Sequence, residues 1–524
     1  MTSNDNTRTI TKNSFWYTVE GSATTLVMLL ASVPVARVMG PDILGRYIFL
    51  VFVTGIAQRV ANVGIPATTC KYMAEALGQG HGDLARAIFS ATMRVQAVVA
   101  AAVTLIAVGI VYFFDHSPSR LVAYLIVASI FPGMVNNIPA QANLAAENFG
   151  ANLPASFANF ASYSLLVVLT LWYGWGLVGL ATATLVSRVI ETAVRYIGVQ
   201  RWLRAYRIGA IPQDLRTRMF TFSRQNLVVL LLSIIVWDRS ELLFLNHFSP
   251  TTQLAFYSLA FSVIKQLLMV PLAFSSAIGV TILAQYGRDA RELKGLIYNG
   301  TRYVTLLSIP LFIGVAAVSH PLILMVYGHV YADVIPVLAL MSVLAIPRAF
   351  QVFSEHLLQA TETQAFMVRW LTLSAVANLL FDWLLIPRYG AIGAAIANGV
   401  GQTLAVVGVW AKATSILNVQ PPTRFMTRVF AAGAVMFAAV WPISYWVRPV
   451  IALALGIPLG AATFFVCIRL MRCLETTDLV RLQQLTARLP GRLRTMVDAA
   501  LVFMTGAAAT RHEPTVEAVS TFRT

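Results

Sequence analysis

Apolar runs of about twenty residues, separated by short polar connectors, recur about fourteen times along this 524-residue chain. A run of that length crosses a bilayer only as a helix, because lipid offers no partner to bare backbone N–H and C=O groups. The expected spans are about 15–38, 44–65, 90–114, 120–145, 153–173 and 177–199, then about 223–247, 254–275, 299–319, 333–357, 366–386 and 391–413. A last pair covers about 427–447 and 450–470. Charged residues make up 11% of the chain, where soluble proteins average about 25%, so there is too little polar surface for globular domains. The fold class is therefore an all-α polytopic membrane protein. The polar stretch 1–14 precedes a run longer than a signal-peptide core that contains Glu20, which reads as an uncleaved first span.

The net charge of +16 does not point to nucleic acid, because the basic residues fall mainly in alternate connectors between spans. Lys71 and Arg86, the cluster Arg201, Arg204, Arg207, Arg216 and Arg218, then Arg288, Arg291 and Lys294, and finally Arg472, Arg481 and Arg488 all fall on one side. The positive-inside rule makes that side cytoplasmic, with both termini there and an even number of spans. Residues 201–222 form the longest basic connector and read as a linker between two halves, 15–200 and 223–417; residues 418–472 hold the extra helix pair. The tail, 473–524, starts with leucines at helical spacing among arginines, the pattern of an interfacial helix on an anionic leaflet, and ends in a polar, disordered stretch. Cys70, Cys467 and Cys473 have neither metal-site spacing nor an even-numbered disulfide pattern.

The two halves look duplicated. "WGLVGLATATLV" at Trp175–Val186 and "YGAIGAAIANGV" at Tyr389–Val400 share a Gly-x-x-Gly-x-Ala-x-Ala skeleton at a constant offset of 214 residues. "GPDILGRYIFL" pairs with "SPTTQLAFYSL" through Pro41/Pro250 and Tyr47/Tyr257 at offsets of 209 and 210, and Phe15 pairs with Phe220 at 205. Six spans per copy is an even number, so the copies would be parallel repeats about an axis along the membrane normal, enclosing a cavity suited to alternating access. The glycines themselves read as packing and turning residues.

No enzyme motif is present: there is no Gly-x-x-x-x-Gly-Lys-Ser/Thr phosphate loop, no His-Glu-x-x-His and no Asp-x-Asp. No cofactor or metal is expected. What carries chemistry is charge inside the spans, where an ionisable group costs at least about 2.5–3.5 kcal/mol and must face a cavity or a partner. Lys265, Arg239, Arg348 and Arg59 are the candidate substrate-binding residues, with Lys265 near mid-span the strongest and Asp238 or Glu241 its expected partners. Asp238, Glu241, Glu20, Arg188 and Glu191 are the coupling or charge-pair candidates; Arg188 and Glu191, three apart on one helix, also fit a purely structural pair. Arg59 and Glu20 equally suit snorkelling to the headgroups. Basic side chains in a cavity suit an anionic substrate such as a diphosphate, whereas an exporter of cationic drugs would expose lone carboxylates.

The segments "ARVMGPDILGRYIF" (Ala36–Phe49), "VGIPATTCKYMAEALGQG" (Val63–Gly80) and "IPRYGAIGAAIANGV" (Ile386–Val400) resemble bacterial polysaccharide transporters, the Wzx-type lipid-linked oligosaccharide flippases. With the hydropathy pattern, the resemblance covers about residues 10–470 and extends to the wider superfamily that holds multidrug and toxin extruders and peptidoglycan-precursor flippases. It implies a V-shaped bundle in the bacterial inner membrane that moves an undecaprenyl-diphosphate-linked repeat unit outward, driven by an ion gradient or membrane potential. It also implies membrane lipids as surroundings, and a polymerase and glycosyltransferases of the same exopolysaccharide, capsule or O-antigen pathway as partners. Two alternatives stay open: an ion-coupled multidrug exporter, and a non-transporting scaffold of a polysaccharide synthase complex.

Overall fold

The computed structural model describes residues 33–62, 64–114, 120–224, 240–285, 290–360 and 363–474, together with Asp478, Asp498, Val502 and Phe503. Most of the first and seventh expected spans, the carboxylates Glu20 and Asp238, Arg239 and most of the tail lie outside these residues. Every regular element among the described residues is helical. The chain runs through α1 (Val33–Ala61), α2 (Ile65–Gly78), α3 (Gly82–Phe114), α4 (Arg120–Ala128), α5 (Ile130–Ala145), α6 (Leu153–Tyr173), α7 (Gly176–Leu203) and α8 (213–224). It continues with α9 (Glu241–Phe248), α10 (Thr251–Gln285), α11 (Ala290–Val326), α12 (Val334–Leu344), α13 (Gln351–Ala360), α14 (Gln364–Leu417), α15 (Thr423–Trp446) and α16 (Pro449–Leu470). Eleven helical stretches among the described residues are long and apolar enough to cross a membrane, α15 and α16 included.

The end of the first expected span runs on into the second within α1, the fourth is divided between α4 and α5, and two further features differ from the simple succession of spans. The tenth expected span is interrupted: α12 and α13 are separated by a tight turn at Pro347–Phe350, where Pro347 cannot donate the backbone bond that would continue the helix. The eleventh and twelfth spans are joined in α14, which changes direction at Gly390, where φ is 53° and ψ is −128°. Its repeat mate Gly176, at the start of α7, has φ of 54°. A side chain is strained at such φ values, so both positions favour glycine. The Thr251 hydroxyl bonds the Asp42 carboxylate, joining two positions 209 residues apart, the offset at which the sequence pairs Pro41 with Pro250.

By contacts, the chain divides into two compact units. The first comprises Met1–Val270, Val326–Arg348 and Glu362–Val409. In it α6 and α7 pack along their lengths, and α2, α3 and α5 form a tight group around Tyr72, Met73, Ile88, Phe89 and Ile138. The basic connector is built into this group. Met219 of α8 is buried against the same cluster, Leu215 and Phe222 pack on it, and the Arg207 N–H donates to Asp83 Oδ1 at 2.7 Å.

The second unit comprises Pro271–Met325, Ala349–Thr361 and Trp410–Thr524. Here α15 and α16 pair closely, and Ala317 and Val318 of α11 meet Val440 of α15. An apolar groove lined by Leu311, Val318, Met436, Ile457 and Phe464 runs beside them. About a third of the way along α11, Arg302 grips the Asp478 carboxylate at 2.8 and 3.2 Å, and the Tyr303 hydroxyl donates to it at 3.0 Å. That ties the start of the tail to the bundle, next to Cys473, whose thiol is pushed up by burial.

Candidate functional site

The most demanding chemistry in the first unit lies around Glu241, the first residue of α9, whose side chain is 0% exposed. Its Oε2 accepts from the Tyr257 hydroxyl at 2.8 Å, and its Oε1 accepts from the Asn398 amide at 2.7 Å and the Asn378 amide at 3.3 Å. The same Asn378 nitrogen lies 3.2 Å from Oδ2 of Asp382, which is also 0% exposed. Asn378 and Asp382 are one turn apart on α14, so the helix period presents both on one face. Gly401, on the other arm of α14, makes room: a Cβ there would collide with the Asn378 amide oxygen.

All three donors to Glu241 are neutral. Two buried carboxyls bridged by one amide nitrogen, with no guanidinium or ammonium bonded to either among the described residues, make an arrangement that calls for added positive charge. Asp382 Oδ1 and Asn378 Oδ1 are buried without a hydrogen-bond partner among those residues. Carboxylate and amide oxygens of this kind suit a proton or a hard cation.

Beside this pair is a narrow cleft of about 10 Å³, room for about one water, lined by Lys265 of α10, Arg348 of the Pro347–Phe350 turn, and Asn398 and Gln402 of α14. Phe261 and Met341 supply apolar wall. Gln402 Nε2 is a buried donor with no acceptor among the described residues. The cleft therefore gathers two cations and two amides, a donor set matched to an oxyanion.

A second charged network joins α6 and α7. Glu191 accepts from Arg188 at 3.1 Å, from Arg195 at 3.0 Å and from the Asn159 amide, and Arg195 also donates to the Ser156 hydroxyl at 3.0 Å. Glu191 and Arg195 are 6% and 7% exposed. Close by, the Tyr47 hydroxyl meets Thr184 at 2.7 Å and Tyr163 at 3.3 Å.

The sequence pattern of the polysaccharide biosynthesis protein family matches residues 34–336. The chain belongs to that family. Among curated proteins, this family member is 25% identical over 232 residues to "Probable flippase AglR" of Haloferax volcanii, covering 43% of this chain and 48% of that protein. It is 26% identical over 143 residues to "Probable low-salt glycan biosynthesis flippase Agl15" of the same organism, covering 26% and 30%. The chain thus spans half or less of the length of these curated relatives. Among solved structures, the lipid II flippase MurJ in an inward closed conformation superposes with a TM-score of 0.71 at 12% identity, over 88% of this chain and 99% of that one. An inward-facing multidrug resistance MATE transporter of the MOP superfamily gives 0.64 at 15% identity, over 75% and 94%. At these identities the likeness establishes a shared fold.

Against this family member's geometry, the sequence candidates separate into groups. Lys265 and Arg348 line one cleft, and Glu241 sits at the centre of the acidic cluster, bonded to amides and a tyrosine rather than to Lys265. Arg188 and Glu191 bond one another, and Arg59 is exposed near the end of α1 and does not line the cleft. Asp382, Asn378, Asn398, Gln402 and Arg195 are additions that the sequence reading passed over. Asp382 stands in the apolar run "NLLFDWLLIP", and Arg195 lies one turn beyond Glu191, so the rule applied to the other intramembrane charges would have reached both. The neutral amides give no comparable signal.

Proposed function

We propose that this chain flips a lipid-linked oligosaccharide across the bacterial inner membrane by alternating access, with a cation held between Glu241 and Asp382 driving the cycle. The observation that carries the reading is the juxtaposition in the first unit: two buried carboxyls held by neutral donors beside a cleft lined by Lys265 and Arg348. A diphosphate suits the cleft, a proton or sodium ion suits the carboxyl pair, and no nucleotide motif supplies energy. The cleft admits about one water here, so the diphosphate enters in another state of the cycle.

The curated relatives' names support glycan flipping, and the sequence resemblance supplies the undecaprenyl diphosphate carrier. The two six-helix halves, 15–200 and 223–417, are supported by the matching glycine turns and by the Asp42–Thr251 contact between repeat mates. Two equivalent positions can touch only close to the axis that relates the copies. The apolar groove of the second unit has the chemistry of a prenyl-tail surface. The basic connectors support a reading with both termini in the cytoplasm, where glycosyltransferases of the pathway would deliver the substrate, and a polymerase would take it on the far side. A cationic-drug exporter fits less well, since the carboxyls are sealed while Lys265 is exposed.

The test is a deletion strain. It should accumulate lipid-linked repeat units on the cytoplasmic leaflet, and the wild-type gene should clear them while Lys265→Ala clears them poorly. Normal export in the deletion strain, or sensitisation to cationic drugs instead, would refute the proposal.

A further inference from the structure

A body of charge that the transport sites do not use lies on α8 and the connector before it. Segments 65–86 and 201–224, which pack together in the first unit, hold eight basic and three acidic residues. The connector is fastened rather than loose: the Gly209 N–H donates to the Asp83 carbonyl at 3.0 Å, and the Arg207 N–H donates to Asp83 Oδ1 at 2.7 Å.

The two faces of α8 differ. Leu215, Met219 and Phe222, at helical spacing, pack into the cluster around Tyr72 and Ile88. Cations on that side are already engaged, with Arg218 reaching Glu75 at 3.8 Å and Lys71 lying 4.1 Å over the Phe222 ring. The opposite face carries Arg216, Phe220 and Arg224, each one turn from the next, as a single exposed stripe. Phe220 is 71% exposed, and neither arginine is paired with a carboxylate among the described residues.

We infer that this stripe is a binding surface for anionic phospholipid, with Arg216 and Arg224 taking the phosphate and Phe220 entering the boundary between headgroups and acyl chains. A large ring between two cations gains nothing in water, whereas a bilayer surface buries the ring and pairs the cations. The guanidinium fork matches phosphate oxygens. Position favours lipid over an acidic protein: α7 ends at Leu203 after crossing, and the next expected span starts at about residue 223, so the chain between them stays near the headgroups. Only the identity of the leaflet rests on the orientation in the proposed function, which makes it the cytoplasmic one.

The probe is phosphatidylglycerol. The photoreactive residue p-benzoylphenylalanine takes the place of Phe220 in the full-length protein, in nanodiscs of phosphatidylglycerol and phosphatidylcholine at a known ratio. Lipids crosslinked to the α8 peptide are then counted by mass spectrometry. Each arginine near an anionic surface contributes about fivefold, so phosphatidylglycerol adducts should exceed the bulk ratio by about 25-fold. Arg216→Gln or Arg224→Gln alone should leave about fivefold, and the double variant should return the bulk ratio. Both arginines are exposed and unpaired, so these variants should unfold at the wild-type temperature. The same photoreactive residue at Leu105, exposed on α3, should report the bulk ratio in every variant.

Adducts at the bulk ratio in the wild-type background, or enrichment that survives the double variant, overturn the inference. So does an absence of lipid adducts at position 220 while position 105 crosslinks, since the stripe would then face water or a protein. No transport is measured and no glycan is present, so failure here leaves glycan flipping standing, and failure of flipping leaves this surface standing.

Discussion

Glu191 and Glu241 are both carboxylates buried in the first unit, and both accept from asparagine amides, yet their surroundings differ in one respect. Glu191 lies between two guanidinium groups, while Glu241 shares an amide with a second carboxyl and takes its other bonds from a tyrosine and an asparagine. The first site carries its own counter-charge, and the second lacks one among the described residues. A fixed ion pair has no need of an exchangeable cation, so the contrast separates a structural charge cluster from one that can bind and release. Nor are the two sites copies of each other. The expected repeat offset of 214 carries Glu191 to Ala405 and Asp382 back to Val168, so neither carboxylate has a charged counterpart at that offset.

Glu191→Gln attacks the comparison at its structural end and should have the largest effect. It strands Arg195 and Arg188 beside a neutral group, and losing one partner of a buried pair costs about 3–5 kcal/mol. A thermal unfolding scan should show the loss, while turnover per folded molecule is retained; a stable variant with lost turnover would put Glu191 in the transport machinery. The double variant Glu241→Gln, Asp382→Asn addresses the other end. It preserves shape and removes the demand for a cation, so the fold should persist while gradient-driven transport falls by about 100-fold, since a ligand that no longer distinguishes two states cannot shift them.

The spans were legible in the sequence because an apolar run of fixed length has one solution in lipid, and the turning role of Gly176 and Gly390 was legible because both hold a positive φ that favours glycine. Glu241 was visible as a charge in an apolar setting. Its meaning was not, because that depends on Asn378, Asp382 and Asn398 arriving from a helix more than a hundred residues away. Neutral amides barely disturb hydropathy, so the partners that distinguish a cation site from an ion pair leave little trace. Lys265 and Arg348 were each visible by charge, but only the break of the tenth span at Pro347 brings Arg348 to the cleft that Lys265 lines.

Lys265→Ala and Arg348→Ala should each weaken geranyl diphosphate by about tenfold, the worth of one charge-assisted contact, without altering sodium binding in the absence of the anion. An unchanged affinity in both would separate the cleft from the substrate. Arg188→Ala should have the smallest effect, about 1 kcal/mol or less of stability, because its side chain is 42% exposed and Arg195 remains on Glu191. A larger loss by thermal unfolding would show that the two arginines act as a unit.

The central claim is that charge bound at Glu241 and Asp382 drives flipping. Its most direct measurement is leaflet transfer of a lipid-linked oligosaccharide in proteoliposomes under an imposed sodium or proton gradient, comparing the wild type with the Glu241→Gln, Asp382→Asn variant. The gradient should accelerate transfer by the wild type and leave the variant at its ungraded rate. Equal acceleration of both proteins by the gradient would contradict the claim.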